Sequence, residues 1–94
     1  GAGTRLKVVE AMANRLPVVS TTIGCEGIDV TPGTHLLVAD DAEPFARRCV
    51  EAVTDGGRRA ALIDAAEARY RERYRWATIR DRVRDLAVEV AGRS

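Results

Sequence analysis

The chain has 94 residues, enough for one modest core, and this excludes two domains. Hydrophobic residues make up 46% and charged residues 31%, the balance of a soluble globular chain, and no apolar run approaches the roughly 20 residues of a membrane span. The 15 basic and 14 acidic residues nearly cancel to a formal net charge of +1, which leaves no general field for a polyanion, so no nucleic-acid partner is expected.

Cys25 and Cys49 show no CxxC or Cys/His ligand spacing and read as reduced thiols of a cytoplasmic protein. Gly1-Ala2-Gly3-Thr4 has no initiator Met, no basic n-region and no apolar h-region, so no secretion signal is read there. The chain reads as a fragment cut from something longer.

In chain order, Thr4 is a candidate N-cap, and Leu6, Val9, Met12 and Ala13 then recur at helical spacing, which predicts a helix over about 5–13. Asn14-Arg15 must turn the chain in the left-handed region that ends many helices. Pro17 to Thr22 is β-branched behind a proline that suits a strand's first residue, and predicts a strand over about 17–22. A loop carrying Gly24, Gly27, Pro32 and Gly33 follows, then an apolar strand over about 35–39.

Asp40 or Asp41 is expected to cap a helix over about 42–54 whose inner face is Phe45, Cys49 and Val53, and which ends at Asp55-Gly56-Gly57. A helix over about 58–74 carries Leu62, Ile63, Ala66, Tyr70 and Tyr74 on one side. A last one over about 77–91 carries Ile79, Val83, Leu86 and Val90. The expected fold class is α/β, with two short parallel strands and about four helices. Two strands alone are marginal in water, so neighbours are expected from sequence outside this chain or from another copy.

The glycine-rich start running into a helix is the feature with a direct chemical reading. Unpaired N–H groups and the helix dipole favour phosphate there. The stretch lacks the full GxGxxG fingerprint and the GK[ST] of a P-loop, and a tight turn into a helix is the plainer reading of the residues alone.

Gly3-Thr4-Arg5-Leu6-Lys7-Val8-Val9-Glu10-Ala11-Met12-Ala13, followed by Leu16-Pro17-Val18-Val19-Ser20-Thr21, resembles the donor-site signature of family 4 glycosyltransferases, which have the GT-B fold. Gly33 to Val38 resembles the family's strand after the glycine loop, Asp41 to Val53 its next helix, and Tyr74-Arg75-Trp76 the aromatic pair before its last helix. The resemblance implies a partial Rossmann-like unit, the donor-binding part of the C-terminal half of a GT-B enzyme. Its implied substrate is a nucleotide-sugar, transferred with retention and without a metal or other cofactor. An acceptor-binding N-terminal domain would lie outside this chain, and the fragment alone is expected to be inactive.

The resemblance implies that Gly3, Thr4, Arg5, Leu6 and Lys7 bind the diphosphate, chiefly through their backbone, and that Glu10, matching the second carboxylate of the family's Glu-x7-Glu motif, holds the ribose. The motif's first acidic position is Ala2 here, a departure shared by family members of the Gly-x-Gly-Thr-Arg-Leu-Lys type, and no catalytic residue is assigned. A second departure is Asn14-Arg15, where the family usually has a glycine. Arg5 and Lys7, two positions apart on a helix, do not point together. An exposed helical Glu is the plain alternative for Glu10, and a solvated face for the two cations.

His35, the only histidine, lacks a Ser, Cys or carboxylate at motif spacing and is read as structural, as are both cysteines. The run of arginines from Arg69 to Arg84 is interrupted by Glu67, Glu72, Asp81 and Asp85 at helical spacing, the pattern of an ion-paired face. The competing function is a non-catalytic module whose Arg-rich helices contact a partner protein or, peripherally, the cytoplasmic face of a membrane. Uncovered strand edges and the apolar stripe of the last helix also predict self-association of the isolated chain.

Overall fold

The computed structural model describes residues 2–93, with side chains described over 5–84. Its elements are α1 (Ala2–Ala13), β1 (Val19–Ser20), β2 (Leu37–Val38), α2 (Ala42–Thr54), α3 (Gly56–Arg73) and α4 (Arg75–Arg93). This is an α/β arrangement consistent with a partial Rossmann-like unit, as expected. The strands run parallel in the register Val19↔Leu37 and Ser20↔Val38. They are shorter than the sequence predicts because the flanking residues form turns: the Cys25 N–H donates to Thr21 O at 3.3 Å and the His35 N–H to Thr31 O at 3.0 Å.

Alternation along the strands divides the interior in two. Val18 and Leu36 face one side and join Val8, Val9 and Met12 of α1, Ile28 of the loop and Ala66 of α3. Val19 and Leu37 face the other and meet Ala52 of α2 and Leu62 of α3. The side-chain period of two in a strand sends neighbours to opposite faces, so a four-residue apolar run serves two cores. Helix α3 reaches both, because Leu62 and Ala66 lie one turn apart.

Helix α1 begins at Ala2 and not at Arg5, so Thr4 lies inside its first turn and is not the N-cap. Ala2 is the strongest helix former, and a first turn can close before the polar residue that sequence favoured. The other end is a Schellman turn. The Leu16 N–H donates to Ala11 O at 3.0 Å and the Arg15 N–H to Met12 O at 3.4 Å, and Arg15 adopts a φ of 57°. The left-handed residue expected at Asn14 or Arg15 is therefore Arg15. Its guanidinium donates to Glu67 Oε1 and to Asp64 Oδ1 of α3, each at 2.8 Å.

Three expectations about the later helices need correction. The inner face of α2 includes Ala52, at 5% exposure, whereas Val53 is 73% exposed. A step of seven residues from Phe45 returns close to the same helical face and a step of eight overshoots it by about 80°. Next, Gly56 and Gly57 belong to α3, not to a break before it, since the Asp55 carboxylate accepts from the Arg58 N–H at 2.9 Å and starts the helix two residues early. Finally, α4 begins at Arg75, directly after the single C-cap residue Tyr74. Ile79 and Val83 are 40% and 61% exposed, while the side chains of Leu86 and Val90 lie outside the described residues.

Candidate functional site

Because α1 turns back through Arg15 and Leu16 into β1, its amino end is carried to the carboxyl end of the strands, where open α/β sheets bind ligands. The loop leaving β1 packs there. Gly27 has a φ of 81°, and a Cβ at that position would stand 3.1 Å from Arg5 Nη1. The bare backbone of Gly27 thus makes room for the Arg5 guanidinium. Arg5, Ile23, Glu26 and Gly27 line an open cleft of about 410 Å³.

Gly3 and Thr4 lie in the first turn of α1, and their side chains are outside the described residues. Within a helix that starts at Ala2, the Leu6 and Lys7 N–H groups fall to the carbonyls of Ala2 and Gly3. Leu6 is 44% exposed.

Arg5 and Lys7 diverge, as expected. Lys7 lines a separate groove of about 300 Å³ with Val8, Ala11 and residues 17–20. Glu10 lines neither hollow. It is half-buried on the side of α1 that also carries Gly3 and Leu6, seven and four residues earlier, and its Oε1 stands 3.9 Å from Arg82 Nη2 of α4. The structure therefore brings Arg5 to the loop and leaves Glu10 on a neighbouring stripe of the same helix.

A third hollow of about 450 Å³, lined by Thr21, residues 40–42, Phe45 and Ala46, opens where both strands end. Asp40 does not cap α2. It accepts from the Thr22 Oγ1 hydroxyl at 2.7 Å and from the Thr22 N–H at 2.8 Å. These two hydrogen bonds hold its carboxyl below the ordinary value of 3.8. Asp41 stands at the N-cap position with no side-chain cap bond.

His35 is buried and structural in its contacts, its Nδ1 accepting from the Thr31 N–H at 2.9 Å. Among the described residues, no three His, Cys, Asp or Glu side chains gather as a metal site, and no helix is long and apolar enough to cross a membrane. The arginines of α3 and α4 are largely engaged. Arg69 and Arg73 reach Asp29 at 2.7 and 3.3 Å, Arg71 reaches Glu67 at 3.8 Å and Arg84 reaches Asp81 at 3.4 Å. The pairs with Asp29 were not legible in the sequence, since they join the loop to a helix 40 residues on. The Asp29 N–H also donates to the Tyr74 hydroxyl at 2.6 Å. Glu26 and Ile23 were missed as well, and their one sequence signal is their place in a glycine-containing loop after a strand.

Fold and cleft together define a piece of an α/β domain with its open cleft at the carboxyl ends of parallel strands. Residues 1–55 match the family model described as glycosyl transferases group 1, and the chain belongs to that family. It is similar to an "Uncharacterized 44.6 kDa protein in cps region" of Klebsiella pneumoniae, with 44% identity over 50 residues. That alignment covers 53% of this chain and 13% of that protein. No solved structure matches the chain.

Proposed function

We propose that the chain is the donor-binding segment of a retaining glycosyltransferase, which transfers a sugar from a nucleotide-sugar to an acceptor and is inactive without the rest of its enzyme. The observation that carries this reading is the amino end of α1 beside the Arg5–Gly27 cleft, at the carboxyl end of the strands. Orphan N–H groups, the helix dipole and a guanidinium all favour negative charge there. In the reaction, charge develops on the departing diphosphate. Fixed donors and a cation stabilise it without reorganising, and that is the protein's main contribution to such a step.

In this reading the diphosphate lies over the first turn at Gly3 and Thr4 with Arg5 beside it, Leu6 and Lys7 border it, and Glu10 accepts the ribose hydroxyls. Glu10 lies about two turns beyond Gly3 on one stripe, the direction in which a ribose joined to the diphosphate through its 5′-oxygen would extend its hydroxyls along the helix. No part is assigned to a metal or other cofactor. An upstream acceptor domain completes the enzyme, which works in the cytoplasm.

Thermal denaturation of the full-length protein tests the reading. A nucleoside diphosphate at about 100 times its Kd should add roughly 2.7 kcal/mol of stability, and the corresponding nucleoside much less. If no nucleoside diphosphate raises the Tm, or nucleoside alone raises it equally, the helix start is not a diphosphate site. Retention is checked by the anomeric configuration of the product in NMR spectra.

A further inference from the structure

The cleft beside Arg5 is lined by groups of both charges. Arg5 and Glu26 both line it, yet among the described residues neither forms an ion pair, with the other or with any other side chain. Two opposite charges that line one hollow without pairing can each meet a ligand there. Ile23 lines the same hollow and is 80% exposed, a large apolar surface presented where solvent would otherwise lie.

The segment holding these groups is a closed series of turns. The Gly24 N–H donates to Thr21 Oγ1 at 3.0 Å, the Cys25 N–H to Thr21 O at 3.3 Å, the Glu26 N–H to Ile23 O at 3.2 Å and the Ile28 N–H to Cys25 O at 3.1 Å. Glu26 is thus presented on an internally bonded loop, with Gly27 locked beneath Arg5 by its positive φ.

We propose that Glu26 accepts hydrogen bonds from hydroxyls of the transferred sugar, with Ile23 covering the sugar's apolar C–H face. The inference rests on the donor-site reading of the α1 start. The anionic part of the ligand belongs with Arg5 and the helix amino end, and a carboxylate repels it. Glu26 therefore marks the neutral part, and a carboxylate satisfies hydroxyl donors with two acceptor oxygens. A hexose supplies both features, hydroxyl donors at its rim and C–H groups on its face.

The test uses the full-length protein and isothermal titration calorimetry with UDP, GDP, ADP and dTDP and the glucose or mannose derivative of each. Glu26→Gln should weaken the preferred nucleotide-sugar about tenfold or more while leaving the parent diphosphate within about twofold, and Ile23→Ala should move the same difference in the same direction. Equal losses on sugar-bearing and sugar-free ligands, or no loss on either, would overturn the role of Glu26 while leaving the donor site standing. Wild-type protein that binds none of the diphosphates would remove the donor-site reading and this inference together. Both side chains are exposed, so an unchanged Tm separates a binding effect from misfolding.

Discussion

Arg15 Nη1 lies 2.8 Å from Glu67 Oε1, which ties the left-handed residue that ends α1 to the middle of α3. A second bond of the same length joins Arg15 Nη2 to Asp64 Oδ1. The hydrogen bonds that it donates to Asp64 and then to Glu67 raise the guanidinium further above its ordinary value. The position needs a left-handed backbone, which glycine adopts without strain, and arginine compensates with two contacts that glycine lacks. Arg15→Gly should therefore change the Tm little, since strain and ion pairs are lost together. Arg15→Ala loses the pairs and keeps the strain, and should melt about 4–8 °C below the glycine variant. Calorimetric scans of the three proteins check this, and an alanine variant equal to the glycine variant would contradict it.

The Asp40–Thr22 contact predicts an acid dependence. The folded carboxyl is held below 3.8, chiefly by the Thr22 hydroxyl and then by the Thr22 N–H. A depressed folded value means that the unfolded chain binds the proton first as pH falls. The contact's stabilisation is then complete well above 3.8 and is lost as pH drops through the lower folded value. Wild type should melt slightly above Asp40→Ala from pH 7 to about pH 5, and the gap should close below pH 3.8. A gap independent of pH would mean that the carboxylate charge has no role.

Glu10→Ala in the full-length protein should weaken nucleotide-sugar binding by roughly 1.5–3 kcal/mol, the range for hydrogen bonds to a charged group. The residue is half-buried and its ion pair with Arg82 is long and exposed, so stability should change little. Titration calorimetry beside a melting curve separates the outcomes. Unchanged affinity with a lower Tm would assign Glu10 to the α1–α4 contact.

Packing predicts a sharp contrast between two apolar truncations. Met12 is 2% exposed in the core shared by α1 and α3, and Met12→Ala should cost about 2–5 kcal/mol. Val53 is 73% exposed, and Val53→Ala should stay within about 0.5 kcal/mol. Urea denaturation of both variants reads the difference, and comparable losses would restore Val53 to the inner face of α2.

By itself the sequence determined the α/β order, the parallel apolar strands, the buried side of α3 at Leu62 and Ala66, and the need for a left-handed residue after α1. Each is a local property, set by periodicity, propensity or backbone sterics within a few residues, and the match over residues 1–55 to a glycosyl transferase family is carried by the same local blocks. Tertiary structure decided what no local window contains. It set Arg15 against α3, Asp29 against Arg69 and Arg73, and Asp40 against Thr22, pairs separated by 18 to 52 residues. It also brought Glu26 and Arg5, 21 residues apart, to line one cleft. The reason is that a side chain's partner depends on where the chain returns in space. Helix phase and strand alternation fix which way a residue faces, and only the packed fold fixes what it meets.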